Sequence, residues 1–406
     1  MLNLLDRNFD CDCGVKHSLE TEILLSGGDI EKISILLKKY YAVSRIAIVY
    51  DMAVSDYAQR VLEILVKNAF QISEICYEKL TFPSKADADR LIDLPENVRF
   101  FVGIGSGSIT TIVRYAAHIR KNQYGIVATA PSTDSYLDDY SVFGDRKELC
   151  EAPKFLIADE NIYASSKEYL TAGGIGAVFN CFLSVFQLEY ETAVYKEKHC
   201  KNIIFELKNL LFEFLESYNR TNNSNRFLME TLLKISLARV YLGGLNSSAN
   251  KIAYLLSTNE NSRFYGENLF LAAFVTTQIY KEYLQGFTTD SLLPADYVKG
   301  LKLLNMRLNG EYSYNFNKLS EYKDKNITAI GYLIKEYRND FLSYLDHVDI
   351  MDWAKLFRRC YRDAGYWLGG YIKANELLTI TSLSGLICSN SLFSYVKETG
   401  FLEEML

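Results

Sequence analysis

The sequence predicts an α/β domain, built on a parallel sheet with helices on both faces, followed by an all-helical domain. Three observations carry this reading. Strand and helix patterns alternate up to residue 159, strand signal nearly vanishes after residue 166, and a glycine-rich turn joins a strand to a helix within the alternating part. A chain of 406 residues is also too long for one ordinary core, so two domains are expected.

Residues 21–25 read as an extended entry strand, followed by a Gly-Gly turn and a helix beginning near Asp29. The apolar run 45–50 is a buried strand, succeeded by a helix over 57–70 and a strand over 71–77. A helix over 85–94 precedes the strand 98–103, and a helix over 109–120 leads to the strand 125–130. A last strand, 155–159, follows Ala152-Pro153-Lys154. Long amphipathic helices are then expected over 166–195, 200–218, 226–242, 247–256, 266–285, 295–304, 327–345, 350–364, 372–386 and 390–397. The boundary falls near 160–166, giving domains 1–162 and 163–406. The stretch 219–225 reads as a polar loop and 307–325 carries little pattern.

Composition narrows the function classes. Apolar residues make up 49% and charged residues 23%, as in ordinary globular proteins, and a net charge of −6 lacks the electropositive footprint of a nucleic-acid binder. The longest apolar stretches, such as 377–396, are interrupted by Thr, Ser and Asn, so no membrane span is expected; without a leader-like start, the reading points to the cytoplasm. Eight cysteines, scattered apart from Cys11 and Cys13, read as reduced thiols. Stripes of Tyr and Phe on the long helices read as core or as a subunit interface, which leaves room for a homo-oligomer.

The chemistry concentrates between residues 102 and 136. An apolar run ends in Gly103, Gly105 and Gly107 and opens into a helix; the next strand ends in Thr129-Ala130-Pro131-Ser132. Neighbouring strand ends in an open α/β sheet form a ligand crevice, and unpaired amides at a helix start suit a phosphate. Asp51, at the end of the strand 45–50, either accepts ribose hydroxyls or caps the helix that follows. Cys11, Cys13 and His17 have metal-like spacing but no obvious fourth ligand, so surface thiols in an N-terminal arm are the simpler reading. Residues 196–208 read as a solvated helix face. Neither a G-x-S-x-G elbow nor a Walker G-x-x-x-x-G-K-[ST] sequence is present.

The segments G-I-G-S-G-S-I and A-T-A-P-S-T-D-S-Y resemble the sn-glycerol-1-phosphate dehydrogenase branch of the iron-containing alcohol dehydrogenase and dehydroquinate synthase-like superfamily. The opening C-D-C-G-V-K-H and the closing S-Y-V-K-E-T-G-F-L are similar to the two ends of some members. The resemblance implies a dehydroquinate synthase-like fold that uses NAD(P)(H) on a small phosphorylated polyol or ketone. It implies that Gly105, Ser106, Gly107, Ser108 and Ile109 cradle the pyrophosphate, and that Thr129, Ala130, Pro131 and Ser132 line the nicotinamide side. It further places Asp51 at the adenosine ribose, Asp134 at the substrate and Asp138 near the cofactor. Thr111 and Asp138 both depart from the family's usual residue types.

The metal site departs further. Members of the branch hold a divalent metal with one Asp and two His, and the metal polarises the substrate oxygen for hydride transfer. The matching segments here place Ala177, Asn250 and Tyr265 at those positions, with Tyr254 at a substrate-contacting His. The whole chain has four histidines, at 17, 118, 199 and 347; His118 lies on the helix 109–120 and the others are far from the helices expected to carry the metal. Three readings follow: an oxidoreductase with an altered site, for which Tyr254, Tyr265 and Asn250 are the candidate residues; a nucleotide-binding relative without turnover; or a dehydroquinate-synthase-like cyclase. Loss of the metal donors weighs against the first and third alike.

Overall fold

The computed structural model describes residues 8–404 except 10, 41–44, 145, 219, 222–223, 259–263, 287–301, 305, 307–326, 348, 360–373 and 389. Most of the expected helix 295–304, the unpatterned stretch 307–325 and parts of the expected helices 350–364 and 372–386 therefore lie outside the described residues.

The alternating part forms one six-stranded parallel sheet. Its strands are β3 (Glu22–Leu24), β4 (Arg45–Asp51), β5 (Gln71–Tyr77), β6 (Val98–Gly105), β7 (Gln123–Ala128) and β10 (Phe155–Ile157), in the spatial order β3-β10-β7-β6-β4-β5. Period-2 patterning assigns the two faces. From β4, Ala47 and Val49 join Ile112 and Val113 of helix α4 (Gly107–Arg120) in one core. Ile46, Ile48 and Tyr50 join Ile33 and Leu37 of α1 (Ile33–Tyr40) and Val61 and Leu65 of α2 (Ser55–Lys67) in the other. Helix α3 (Lys85–Ile92) starts on a reciprocal capping box between Ser84 and Asp87.

Two small hairpins were not among the expected strands. One pairs β1 (Asn8–Phe9) with β2 (His17–Ser18); the other pairs β8 (Tyr140–Phe143) with β9 (Arg146–Leu149). Gly144-Asp145 between short runs carrying Tyr, Val and Phe is a two-residue hairpin signal for the second.

The compact units divide the chain differently from a cut at residue 162. One comprises Met1–Val178 with Cys200–Gly244, the other Phe179–His199 with Leu245–Leu406. The reason lies in packing. Met229, Leu233 and Leu237 of α8 (Ser224–Tyr241) belong to the same core as Ile112 and Val113, so helices after the boundary return to the sheet's unit. Helical periodicity marks a buried face but does not say which core buries it.

Within the second unit, the aromatic stripe of α6 (Glu168–Tyr190) is core. Phe179 stacks on Trp353 at 4.9 Å and Phe182 on Tyr344 at 4.5 Å, while Phe186 packs against Phe341 at 5.5 Å. The segment Glu168–Tyr195 is long and apolar enough to cross a membrane, but 89% of its apolar window is buried inside the protein, as a core helix would be.

Glu398, at the end of the helix Leu392–Glu398, gives this unit a pH dependence. Burial pushes its carboxyl up to about 7. Its folded value therefore lies above the unfolded one, and the folded chain holds a proton that the unfolded chain has released. Stability falls as pH rises from about 4.5 and the contribution is gone above about 7. Glu398→Gln should raise stability at pH 8 by about 1 kcal/mol, after discounting for solvent screening, and change little at pH 4.5. Thermal melts at the two pH values check this; an equal shift at both would show that the charge is not responsible.

Candidate functional site

The sheet's order fixes where a ligand crevice forms. Strand β4 connects through α2 to β5 on one side, whereas its neighbour β6 connects through α4 to β7 on the other. The carboxyl ends of β4 and β6 therefore flank the topological switch point. Registers Tyr50↔Ile104 and Gly105↔Ala128 bring the ends of β4, β6 and β7 level. The sequence places Asp51, the glycine loop and Thr129–Ser132 at those three ends.

Gly105 is required by packing: a Cβ there would lie 2.7 Å from Cγ1 of Ile109, so its absence lets α4 sit down on β6. Ser106 is extended, with φ −111° and ψ −151°, and its hydroxyl makes no cap bond to the helix. The first-turn amides of Gly107, Ser108 and Ile109 have no intrahelical acceptor and face the crevice end of the helix. A Cβ on Gly107 would make only ordinary contact, 3.4 Å from the Thr133 hydroxyl, so protein packing does not explain that glycine. The Ser108 hydroxyl donates to the Thr81 carbonyl at 3.1 Å and the Ile109 side chain is buried, leaving both residues their amides for a ligand. The Thr111 hydroxyl folds back onto the Gly107 carbonyl at 2.8 Å.

The second loop is tied to the first. The Thr129 amide donates to the Gly105 carbonyl at 3.1 Å, and the Tyr136 hydroxyl donates to the Ala130 carbonyl at 2.6 Å. Ala130 and Pro131 are buried, while Ser132 is partly exposed, with its amide bonded to the Ala130 carbonyl at 3.0 Å. Gly174 of α6 lies so close that a Cβ would come within 2.0 Å of the Pro131 carbonyl oxygen.

Three expected carboxylates have protein partners. Asp51 accepts the Ala53 amide at 3.0 Å and the Val54 amide, so the structure realises its capping role; burial raises its carboxyl above the usual value. Asp138 and Asp134 share one arginine. Arg239 of α8 donates to both carboxylate oxygens of Asp138, at 3.0 and 3.2 Å, and also pairs with the Asp134 carboxylate and carbonyl. The Ser236 hydroxyl adds a bond to Asp138 at 3.1 Å, and Asp138 is 2% exposed. Both carboxylates hold the segment 134–138 in place through Arg239. Burial works against the charge of Arg239, but Asp134 and Asp138 outweigh it and hold the guanidinium well above its ordinary value. Arg239 was not legible because nothing in the sequence pairs it with residues a hundred positions earlier.

The positions that the resemblance assigns to a metal carry other chemistry. Ala177, buried on α6, has no donor atom. Asn250 lies in the first turn of α9 (Ser248–Ser257), where its carbonyl oxygen accepts the Ser247 amide at 2.9 Å as half of a capping box. Asn180 donates to that oxygen at 3.3 Å and accepts the Ser247 hydroxyl at 2.5 Å. The Asn250 amide reaches the Tyr265 hydroxyl at 3.5 Å, where α10 (Tyr265–Gly286) begins. Tyr254 follows Asn250 by one turn on α9. This is a network of amides and hydroxyls satisfying one another, and it does not fit a divalent metal that calls for carboxylate and imidazole. Among the described residues, the groups able to hold a metal are Cys11, Cys13, His17 and Cys200, and Glu191, Glu197 and His199. Neither includes residue 177, 250 or 265.

Comparison with known proteins agrees with this architecture. A family model described as iron-containing alcohol dehydrogenase matches residues 25–166. A glycerol-1-phosphate dehydrogenase (NAD(P)+) of Geobacillus thermodenitrificans is 22% identical over 220 residues, 50% of this chain and 54% of that protein, so the match spans about half of the relative's length. The Bacillus licheniformis protein of the same name is 21% identical over 294 residues, 67% of this chain and 73% of its own. Among solved structures, an iron-containing alcohol dehydrogenase of Thermotoga maritima superposes with TM-score 0.61 at 13% identity, covering 96% of this chain and 98% of its own. A sulfoacetaldehyde reductase of Bifidobacterium kashiwanohense, in complex with NAD+, gives TM-score 0.61 at 15% identity and covers 96% of each chain.

Proposed function

Because this chain belongs to the iron-containing alcohol dehydrogenase and glycerol-1-phosphate dehydrogenase superfamily, we propose that it binds NAD(P)(H) and does not carry out metal-dependent hydride transfer. The observation that carries the first half is the first turn of α4, whose free amides stand at the switch point beside a glycine that packing does not demand. The amides of Gly107, Ser108 and Ile109 would receive the pyrophosphate, with Thr129–Ser132 on the nicotinamide side and Asp51 toward the ribose. The second half rests on Ala177, Asn250 and Tyr265. A metal at that place would polarise the oxygen of a polyol or ketone substrate, and these residues supply neither carboxylate nor imidazole. The ligand class remains that of the relatives, a dinucleotide with a small phosphorylated polyol or ketone.

The test is reduction of dihydroxyacetone phosphate by NADH or NADPH, with added Ni2+ or Zn2+ and again with EDTA. No turnover is expected in any condition. Turnover that depends on added metal would refute the proposal. The bond between the Asn250 amide and the Tyr265 hydroxyl favours a second reading, a metal-free reductase in which a Tyr donates the proton. Turnover that survives EDTA and is lost in Tyr265→Phe or Tyr254→Phe would establish that reading instead.

A further inference from the structure

Four potential ligands meet at the N-terminal arm of the sheet's unit, remote in sequence from the oxidoreductase positions. The sulfurs of Cys11, Cys13 and Cys200 and a ring nitrogen of His17 all lie within 4.8 Å of one another. Cys11 Sγ is 3.4 Å from Cys200 Sγ, and Cys13 Sγ is 3.3 Å from His17 Nε2. We propose that these residues form a Cys3His structural zinc site fastening the N-terminal hairpin to the start of helix α7 (Lys201–Ser217). It is an alternative to two readings from sequence, surface thiols for Cys11, Cys13 and His17, and a solvated helix face for 196–208.

The distances suit the ion. A tetrahedral zinc with bonds of roughly 2.3 Å to sulfur and 2.0 Å to nitrogen separates its sulfurs by roughly 3.8 Å, and sulfur from nitrogen by roughly 3.5 Å. The Cys11–Cys200 and Cys13–His17 contacts fall a few tenths of an ångström short of this, at 3.4 and 3.3 Å, and every other separation stays within 4.8 Å, so side-chain adjustments of this size would seat an ion. Local structure delivers them for this purpose. The strands β1 and β2 pair with Phe9 opposite His17, and the turn between them carries C-x-C-G. Gly14 adopts φ +77°, which favours glycine, and its amide bonds the Cys11 carbonyl at 3.0 Å. His17 is 4% exposed, its ring against Tyr241 at 5.4 Å, which fixes the imidazole toward the sulfurs.

Hydrogen-bond donors also face the cluster. Cys200 is the N-cap of the 17-residue helix α7, so its sulfur stands at the positive end of that helix. Cys11 receives the Cys13 backbone N–H, and the Asn202 side-chain amide donates to its sulfur at 3.3 Å. Three thiolates and Zn2+ leave one net negative charge, which these N–H groups and the positive end of α7 offset. A disulfide between Cys11 and Cys200 would account for two of the four groups and leave Cys13 and the buried imidazole unexplained.

The experiment is elemental analysis of the tag-free full chain, purified under reducing conditions without chelator, beside Cys13→Ser and Cys200→Ser. Cys13 is exposed, so its substitution places little load on folding. About one zinc per chain is expected in the parent and less than about a tenth in either variant. Cobalt exchange of the parent protein alone should give the intense visible absorption of a tetrahedral thiolate site, which keeps the test decisive should a variant not fold. A reduced parent chain that takes up no zinc would overturn the proposal. So would full retention of zinc in both variants, or a mass lower by two hydrogens with Cys11 and Cys200 joined. Asn250→Ala should leave the zinc in place, separating this site from the oxidoreductase positions.

Discussion

Replacing Arg239 by Leu should destabilise the protein by about 3–5 kcal/mol, because it leaves two buried carboxylates without their cation. Arg239 spans Asp134 and Asp138 at once and also holds the Asp134 carbonyl at 2.8 Å. Urea unfolding at neutral pH measures the loss. Arg239→Lys should recover only part of it, since a single ammonium cannot present the planar fork that reaches both carboxylates. A loss below 1 kcal/mol in the Leu variant would mean that Asp134 and Asp138 find water or other donors.

Gly174→Ala should cost about 3 kcal/mol for a different reason. Its added methyl would stand 2.0 Å from the Pro131 carbonyl oxygen, a backbone atom that no rotamer change can move aside. Either α6 or the loop Thr129–Ser132 must shift, and a loop shift also disturbs the proposed nicotinamide side. Dinucleotide affinity should therefore fall together with stability in this variant. Arg239→Lys, which loosens the neighbouring segment 134–138 without adding bulk beside the loop, serves as the comparison. A Gly174→Ala protein with parental stability and affinity would show that the helix approaches less closely than described.

Particular elements show what could be read in advance. The parallel sheet was legible because buried strands and amphipathic helices alternate with little interruption from residue 45 to 159, and the glycine loop because Gly105 and Gly107 sit between a strand and a helix. The proposal that the metal positions are altered rests on residue type alone, since Ala177 has no donor to offer. Partners distant in sequence were not legible. Arg239 lies 101 residues from Asp138, and Cys200 lies 189 residues from Cys11, and no periodicity links either pair. The compact units divide elsewhere than residue 162 for a related reason, because α8 looks like any helix until its Met229 and Leu233 are seen in the sheet's core.

The two metal questions must be kept apart. An equivalent of zinc in the purified chain bears on the Cys3His cluster, and it says nothing about the oxidoreductase positions until Cys13→Ser has removed it.

Fluorescence titration with NADH and NADPH, comparing the parent chain with Gly107→Asp, tests the central claim most directly. An aspartate in the first turn suits the helix dipole, and its Cβ would meet only ordinary contact at 3.4 Å, so the variant should fold as the parent does. Its carboxylate would occupy and repel the place of the pyrophosphate. Saturable binding of at least one dinucleotide is expected in the parent, weakened at least about tenfold in Gly107→Asp with melting temperature unchanged. No binding of either dinucleotide by the parent chain, or equal binding by a folded Gly107→Asp, would contradict the account.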